Sequence, residues 1–571
     1  MNSIRETISN RAIVLLLLFG LIFGIIILNY AYLMVINPVN LEDTPSKGLN
    51  SRRATPPRGK IVDSSGNLLA TSIQRQSLYA NPRQIQDPWK TARELAPLLN
   101  APPRSIYDKL IKNRFFVWLS RKVPEKVVKR VRKMELEGIG FVPEYERVYP
   151  QTIYDSTYGD TYHTDKWGLA AQVLGFVGID NQGLAGVERR FDNILSRADV
   201  SGKGPPGQHS WDVAENSTIK LTLDQTIQYI VEEELAKMAE SERPKNAMVV
   251  VMEPSTGEVK ALANWPTYDP NYFSKAKSSL RRNRAISNSF EPGSTLKVMT
   301  LSSGLAVDAF KPEDTYNCPG YIYFHKARHT LKCYANHGEI PIPEILIKSC
   351  NVGTVKAVME MKPGIFYRRL RRFGFGNTTG IELPGEANGD LRKPYEWSTL
   401  TQPSMAIGQG ISVTALQLTT ALSGVVNDGV LMKPKIVKAI SNKTGEFQRK
   451  EPIRVRRVLP VHVARSMKTY MQKVVSKGTG QNAYSKRFRL GGKTGTAQKA
   501  NPQGGGYLPN KNLLSFIGFG PVKKPKLAVS VIIDEPQVSE YGGQAGAIVF
   551  KRIMERSLQY LKEKESVQKT P

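Results

Sequence analysis

A serine with a lysine three residues further on is the first arrangement in this sequence that could do covalent chemistry. Ser294 and Lys297 lie in SFEPGSTLKVMT, where Pro292-Gly293 predicts a helix start. Residues at this spacing share a helix face, so the Lys297 amine should reach the Ser294 hydroxyl. The apolar run after Lys297 predicts burial, which would keep the amine neutral and able to take the serine proton. We predict Ser294 as the nucleophile and Lys297 as its base.

Two further motifs could complete such a site. In Ser349-Cys350-Asn351, the Ser349 hydroxyl can relay a proton to a leaving amine, and Asn351 can hold a substrate amide. In Lys493-Thr494-Gly495-Thr496, a charged lysine and two hydroxyls on an exposed strand can bind a substrate carboxylate, while Gly495 lets substrate lie against the backbone. We expect Lys493 to be the cation and Lys297 to be the neutral amine, because two like charges in one cleft disfavour each other.

Each motif also occurs elsewhere in the chain in a weaker setting. Ser274 and Lys277 repeat the first spacing in an all-polar segment without a Pro-Gly start, which predicts an exposed surface. Ser65-Gly66-Asn67 and Lys443-Thr444-Gly445 occupy predicted turns. The full set, in the order Ser-x-x-Lys, Ser-x-Asn, Lys-Thr-Gly, is the signature of penicillin-recognising serine enzymes.

The elements around these motifs predict an α+β domain over residues 217–561, with an antiparallel sheet flanked by helices. Its first part is predicted to contain a strand in IKLTLD, a helix in DQTIQYIVEEELAKMAE and a hairpin in NAMVVVMEPSTGEVKALAN. Strands LLSFIGFGPV and KLAVSVIIDEP and a helix from about residue 546 to 561 close the domain, and residues 562–571 are predicted to be a disordered tail.

The N-terminal part predicts an anchor and a second folded unit. Residues 12–36 are apolar, uncharged and long enough for one transmembrane helix, after a short cytoplasmic N-terminus over 1–11 and before a stalk over 37–57. Residues 58–200 predict an elongated mixed α/β pedestal that opens with a hairpin in RGKIVDSSGNLLATS and is helical over 86–137. Residues 201–216, rich in Gly, Pro and Ser, predict a linker.

The chain has 571 residues and a formal charge of +30, with its basic residues scattered. No nucleic-acid-binding motif accompanies that charge, so an anionic membrane surface or cell-wall polymer is the preferred explanation. The sequence calls for no cofactor.

In these motifs the chain resembles the class B penicillin-binding proteins, which are monofunctional peptidoglycan D,D-transpeptidases. The resemblance covers nearly the whole chain and includes RGKIVDSSGNLLA, RVYP, GLAGVE, FEPGSTLK, SCNVG, KTGTAQ and YGGQAG. FEPGSTLK and the Asn of SCN favour the FtsI-like division type, with the elongation type as the alternative. The segment over 151–172 is longer than the family's usual link.

The resemblance implies the residue roles and partners. Ser294 would be acylated by a stem peptide's penultimate D-Ala carbonyl, or by β-lactams as mimics, with Ser294 and Thr496 backbone N–H groups as the oxyanion hole. The pedestal would be a non-catalytic, dimerisation-type domain. A multi-spanning FtsW-like glycosyltransferase and other division proteins would be partners at the inner (cytoplasmic) membrane, with the bulk of the chain outside it. β-Lactam-hydrolysing or β-lactam-sensing proteins share the signature, but the pedestal and single anchor favour the transpeptidase.

Two cysteines and three histidines lie in the segment over 318–337. We assign no metal there; the simplest interpretation is an exposed hairpin with a Cys318–Cys333 disulfide. A zinc site from Cys318, Cys333 and His337 is the alternative that some relatives imply.

Overall fold

The computed structural model describes residues 18, 20, 21, 23, 24, 57–154, 166–196, 217–442, 444–501, 504 and 506–569. Most of the predicted anchor and stalk and the whole predicted linker over 201–216 therefore lie outside the described residues. Among the residues that are described, no helix is long and apolar enough to cross a membrane.

Residues 57–196 form a small mixed α/β region. Its strands are Ile61–Val62, Leu68–Ala80, Val117–Val123, Ile139–Val148, Thr152–Tyr154 and Lys166–Gly168. Its α-helices are Pro88–Leu99, Pro103–Leu110, Glu125–Arg132, Ala171–Leu174, Gly186–Arg190 and Asp192–Leu195, with a 3-10 helix over Pro82–Gln84. The first two strands form the predicted antiparallel hairpin, and Asp63 accepts three backbone N–H groups at its turn.

The predicted helical stretch over 86–137 is wrong in its centre, where Val117–Val123 is a strand. Val117, Leu119 and Val123 are buried on one side of this strand, which pairs with Leu68–Ala80. The apolar residues Val117, Leu119 and Val123 stand at alternate positions of VWLSRKV, and pairing with Leu68–Ala80 makes this segment a strand.

The described residues from 217 to 569 form the larger region. Its strands are Ile219–Leu221, Asn246–Met252, Val259–Trp265, Thr315–Cys318, Tyr321–Phe324, His329–Lys332, Gly338–Pro341, Val430–Met432, Val437–Ser441, Phe447–Arg449, Arg454–Arg457, Gly491–Ala500, Tyr507–Gly520 and Leu527–Asp534. Its α-helices are Gln225–Glu242, Ser278–Arg281, Arg284–Ser287, Lys297–Leu305, Ile342–Ile347, Asn351–Met359, Pro363–Arg372, Thr401–Ala406, Ala415–Val426, Val461–Lys477 and Gly546–Lys569. Its 3-10 helices are Pro270–Lys275, Gly293–Leu296, His325–Ala327, Pro394–Glu396 and Gln481–Ala483.

A five-stranded antiparallel sheet is the centre of this region, as predicted. Gly491–Ala500 is one edge strand, followed in order by Tyr507–Gly520, Leu527–Asp534, Asn246–Met252 and Val259–Trp265. Alternate residues of the buried strands point to opposite faces and join two different hydrophobic clusters. One cluster includes the first and last long helices of the region, and the other includes the helix that begins at Lys297. The sheet thus holds the nucleophile helix and the edge strand in one rigid frame.

A second sheet crosses the predicted domain boundary. Ile61–Val62 pairs in parallel with Ile219–Leu221, which pairs in turn with Val437–Ser441. Strands from both sides of the predicted linker therefore share backbone hydrogen bonds, and residues 56–571 form one compact unit.

The last helix continues to Lys569, so the predicted disordered tail is wrong over 562–569. Lys564 Nζ donates to Asp224 Oδ2 at 2.9 Å and to Ser65 Oγ at 2.9 Å. Lys526 and Glu565 form a further ion pair at 2.5 Å. These long-range contacts, which composition does not reveal, hold the charged end of the helix against the protein.

Candidate functional site

The Ser294 turn has the geometry of a helix start, as predicted. Gly293–Leu296 is a 3-10 turn that leads directly into the helix Lys297–Leu305. Gly293 has φ +55° and donates its N–H to the Gly408 carbonyl at 3.0 Å, and a Cβ there would lie 2.8 Å from the Thr496 carbonyl oxygen. Glycine is therefore required beside Ser294, which is itself half-buried and open to the cleft.

Lys297 is fully buried and reaches the second motif. Its Nζ donates to the Ser349 carbonyl oxygen and to Asn351 Oδ1, both at 2.6 Å, and lies 3.4 Å from Ser349 Oγ. Burial lowers the pKa of Lys297 to about 8, although three nearby thiols act in the opposite direction. Among the described residues, Ser294 Oγ has no hydrogen-bond partner. The amine of Lys297 donates its hydrogen bonds to the Ser349–Asn351 turn instead.

That turn is strained. Ser349 has φ +55°, a left-handed conformation that side chains rarely adopt, between the helices Ile342–Ile347 and Asn351–Met359. The strain turns the Ser349 carbonyl and hydroxyl, together with Asn351, toward Lys297. Strain of this kind is concentrated at functional sites.

Lys493 comes to the same place from the edge strand Gly491–Ala500. Its Nζ donates to Ser349 Oγ at 2.8 Å and to the Thr494 carbonyl oxygen at 2.9 Å. Burial, and secondly the charge of Lys297, lower the pKa of Lys493 well below the usual lysine range. Both amines are thus held by hydrogen-bond acceptors, and burial lowers the pKa of each. The expectation that Lys493 is the cation and Lys297 the neutral amine stays a prediction.

The edge strand lies directly against the Ser294 turn. A Cβ on Gly495 would lie 2.3 Å from Ser515 Oγ, 2.8 Å from Thr295 Cγ2 and 3.1 Å from the Pro292 carbonyl oxygen. Only a residue without a side chain permits this approach. Thr494 Oγ1 lies 2.9 Å from the Thr479 hydroxyl, and Thr496 Oγ1 accepts the Gly542 N–H at 3.2 Å.

A cleft of about 530 Å³ lies beside Thr496. Its wall is formed by the strand and by the loop before the last helix, and it is lined by Thr496, Gln498, Asn512, Pro536, Gln537, Val538, Ser539, Glu540 and Tyr541. Because Gly491–Ala500 ends the sheet, its outer backbone groups are available to an extended peptide.

The weaker copies of the motifs do not join this site. Ser274 is exposed in the 3-10 helix Pro270–Lys275, and Lys277 is exposed beyond it. Ser65 lies in the first hairpin turn. Thr444 is exposed in a turn, and Lys443 lies outside the described residues.

Glu291 lies beside the site but was not among the residues predicted from the motifs. It lies three positions before Ser294 and accepts the Gly410 N–H at 2.8 Å and the Tyr507 hydroxyl at 3.1 Å. Burial raises the pKa of this carboxyl. The sequence did contain a signal for Glu291: it is the one carboxylate in the otherwise uncharged segment that leads into the Ser294 turn.

The cysteines lie beside the Ser349–Asn351 turn as free thiols. The expected Cys318–Cys333 disulfide is wrong, because the His337 ring lies between the two, with Nδ1 3.5 Å from Cys318 Sγ and 3.6 Å from Cys333 Sγ. Cys350, which the zinc alternative did not include, has its Sγ 3.8 Å from that of Cys333. Being one of only three cysteines, it could have been counted with the other two.

Comparison with known proteins agrees with this geometry. Residues 247–555 match the penicillin-binding protein transpeptidase domain, and residues 53–201 match the penicillin-binding protein dimerisation domain. The chain belongs to the class B penicillin-binding proteins. It is a serine-type transpeptidase.

Relatives of this class match nearly end to end. Stage V sporulation protein D of Bacillus subtilis is 32% identical over 96% of this chain and 86% of its own length. Peptidoglycan D,D-transpeptidase FtsI of Escherichia coli is 30% identical over 94% of this chain and 90% of its own. The structure of penicillin-binding protein 3 of Mycobacterium tuberculosis complexed with aztreonam has a TM-score of 0.68 and 27% identity, covering 89% of this chain and 97% of that one.

Proposed function

We propose that this class B penicillin-binding protein cross-links peptidoglycan stem peptides through an acyl-enzyme on Ser294. The observation that carries the proposal is the Ser349 hydroxyl, which lies within 2.8 Å of Lys493 Nζ and 3.4 Å of Lys297 Nζ beside the Ser294 turn. One hydroxyl in contact with both amines can move a proton between the nucleophile side and the leaving-group side of the cleft.

Acylation begins when Ser294 Oγ attacks the carbonyl carbon of the penultimate D-Ala and its proton passes to neutral Lys297 Nζ. The new oxyanion would be stabilised by the backbone N–H groups of Ser294 and Thr496. The close approach of the Ser294 turn to the edge strand supports this role. The C–N bond then breaks, and the terminal D-Ala leaves as an amine that takes its proton from Lys297 through Ser349.

In the second half of the reaction, the proton moves in the opposite direction. The amine of an acceptor stem peptide attacks the ester carbonyl, and its proton is taken up through Ser349. The C–O bond to Ser294 breaks, and Lys297 returns the proton to Ser294 Oγ. The net reaction exchanges one amide for another, so it needs neither an oxidant nor an energy-carrying cofactor.

Substrate binding uses the edge strand. Lys493, Thr494 and Thr496 would hold the terminal carboxylate, whose negative charge restores the proton on Lys493. Asn351 would hold a substrate amide, and the stem peptide would extend along the cleft beyond Thr496. The free strand edge supports binding of the peptide in an extended conformation.

Covalent labelling by a fluorescent penicillin tests the nucleophile. Ser294→Ala should abolish labelling of the purified full-length protein, whereas the matched control Ser274→Ala should label at the wild-type rate. Labelling of Ser294→Ala at another serine would refute the assignment. Rapid turnover of the penicillin by the wild-type protein would instead support a hydrolase.

We infer a role in septal wall synthesis, with residues 12–36 as a membrane anchor and an FtsW-like glycosyltransferase as partner. The motif FEPGSTLK and the Asn of SCN, which resemble the FtsI-like division type, support this role, and FtsI of Escherichia coli is among the matching relatives. The described residues Leu18, Leu21 and Phe23 of the anchor are 53%, 66% and 65% exposed, which suits lipid contact. Depletion in the source cells should give filaments; rounded cells would show an elongation role.

The anchor has a separate test. Deleting residues 1–40 should give a protein that stays in solution and still binds penicillin but does not support growth, because all three motifs lie beyond residue 217. Continued growth, or loss of the fold, would contradict the proposed anchor and domain division.

A further inference from the structure

Four soft ligand atoms converge beside the catalytic cleft. Cys318 ends one strand, Cys333 follows another, His337 precedes a third, and Cys350 lies between Ser349 and Asn351. The sulfur and ring-nitrogen atoms of the four all lie within 4.8 Å of one another. They come from four separate points of the chain, and Cys318 and Cys350 are fully buried.

Three of the six distances within this cluster match a tetrahedral metal site, and all six are at most 4.8 Å. Ligands at about 2.3 Å for sulfur and about 2.0–2.1 Å for nitrogen from one central ion lie about 3.5–3.8 Å from each other. The structure has 3.5 and 3.6 Å between His337 Nδ1 and the sulfurs of Cys318 and Cys333, and 3.8 Å between the sulfurs of Cys333 and Cys350. A set of three thiolates and one imidazole, closed to further ligands, is typical of structural zinc.

The fourth ligand belongs to the catalytic turn. Cys350 Sγ accepts the Gly353 N–H at 3.2 Å at the start of the following helix, and Cys333 Sγ accepts the Asn351 N–H at 3.4 Å. Asn351 Nδ2 also donates to the Lys332 carbonyl oxygen at 3.0 Å. An ion between these sulfurs would therefore fix the backbone on which Ser349 and Asn351 contact Lys297.

We propose that Cys318, Cys333, His337 and Cys350 bind one zinc ion, which holds the Ser349–Asn351 turn in its strained, reactive geometry. The zinc site follows from the cluster alone, whereas its role in positioning the turn rests on the proposed acyl-transfer function. Cys333 and Cys350 are positioning residues in this scheme, because they act on substrate only through Ser349, Asn351 and Lys297.

Metal content of the full-length protein tests the site. Elemental analysis after purification without chelator should find one zinc per chain, and cobalt substitution should give the intense visible bands of tetrahedral thiolate coordination. His337→Ala should lower the bound zinc at least about tenfold, whereas His337→Cys, which keeps a ligand, should retain it. The matched control is His329→Ala, an exposed histidine of the same segment, which should also retain zinc.

The rate of acylation by penicillin tests whether zinc positions the Ser349–Asn351 turn. Chelation should lower the acylation rate constant at least about tenfold and the pre-acylation affinity by less. The reason is that Lys493, Thr494 and Thr496 still hold the carboxylate, whereas the Asn351 contact with the substrate amide is disturbed. Adding zinc back should restore the rate constant. Unfolding alone would lower the fraction of protein that labels but not its rate constant, so the two effects are separable.

Several results would overturn these inferences. Zinc-free protein with no cobalt spectrum, a disulfide in the freshly purified chain, or undiminished zinc in His337→Ala would refute the site. Complete zinc removal with an unchanged acylation rate constant would refute the positioning. Ser294→Ala separates this proposal from the transpeptidase function, because it should bind zinc normally while failing to label.

Discussion

Lys493 Nζ donates a hydrogen bond to Ser349 Oγ at 2.8 Å across the junction of the edge strand and the strained turn. The same hydroxyl lies 3.4 Å from Lys297 Nζ, so the two lysines share one neighbour. Both are fully buried, and no carboxylate is a hydrogen-bond partner of either amine among the described residues. Two ammonium groups cannot be charged here without a large cost, and the site is therefore poised to exchange protons.

The acylation rate should follow the titration of Lys297. Only the neutral amine accepts the Ser294 proton, and burial lowers the pKa of Lys297 to about 8. The rate constant for acylation by penicillin should therefore rise with pH and level off above a midpoint of about 8. Stopped-flow labelling across this range measures it. A midpoint near the roughly 10.4 of a free lysine would show that Lys297 is not the base.

Replacing Lys493 by methionine should weaken binding of carboxylate-bearing substrates but move the Lys297 midpoint by less than about half a pH unit. The reason is that burial is the largest cause of the lowered pKa of Lys297, and burial remains when Lys493 is replaced. The pH profile of the variant measures this, with the exposed Lys486→Met as control. A change of a full unit would show that Lys493 carries the charge at rest.

The sequence predicted the chemistry of this site better than its electrostatics. Side-chain types and spacing identified Ser294, Lys297, Ser349, Asn351 and the Lys493–Thr496 strand, since each motif is local in the chain. The resting contacts of the Lys297 amine depend instead on acceptors in residues 52 and 54 positions away in the chain. Cys350 was missed for a related reason: its partners lie in separate strands that only the fold brings together.

The fold shows the same division between local and distant causes. The first hairpin and the central antiparallel sheet follow from turn residues and alternating apolar runs, and both were predicted. The strand Val117–Val123 and the last turns of the final helix were not, because each is stabilised by distant partners, namely Leu68–Ala80 and Asp224. Tertiary contacts override local pattern at such positions.

Gly495→Ala should impair acylation without unfolding the protein. The added methyl group would lie 2.3 Å from Ser515 Oγ and 2.8 Å from Thr295 Cγ2, so the edge strand must move away from the Ser294 turn. A displacement of about 1 Å can cost about 100-fold in rate. We therefore expect the second-order rate constant for acylation by penicillin to fall at least about tenfold. Gly364→Ala, whose Cβ would meet nothing closer than 3.5 Å, is the control; equal rates for the two variants would contradict the required close approach.

Glu188→Ala should be among the most destabilising substitutions in the N-terminal region. Glu188 is fully buried and pairs with Arg58 Nε at 2.5 Å and Arg147 Nε at 2.6 Å, and both arginines are also buried. Removing the carboxylate takes the Glu188 partner from buried Arg147 and leaves buried Arg58 with the more exposed Asp192, which costs about 3–5 kcal/mol. Urea denaturation of the full-length protein, followed by fluorescence, measures the change in the free energy of unfolding.

The control for this prediction is Glu146→Ala, which removes a carboxylate from a strand of the same region. Its pair with Arg75, at 2.8 Å, is 37% and 34% exposed on the two side chains, so water replaces the lost contact and the cost should stay below about 1 kcal/mol. Arg58 lies three residues before the strand Ile61–Val62, which pairs with Ile219–Leu221 of the larger region. Loss of the buried network should therefore loosen this junction while the penicillin-labelling rate of the folded fraction stays near wild type, because Glu188 contacts none of the three motifs. A cost equal to that of Glu146→Ala would show that the network does not hold the N-terminal region together.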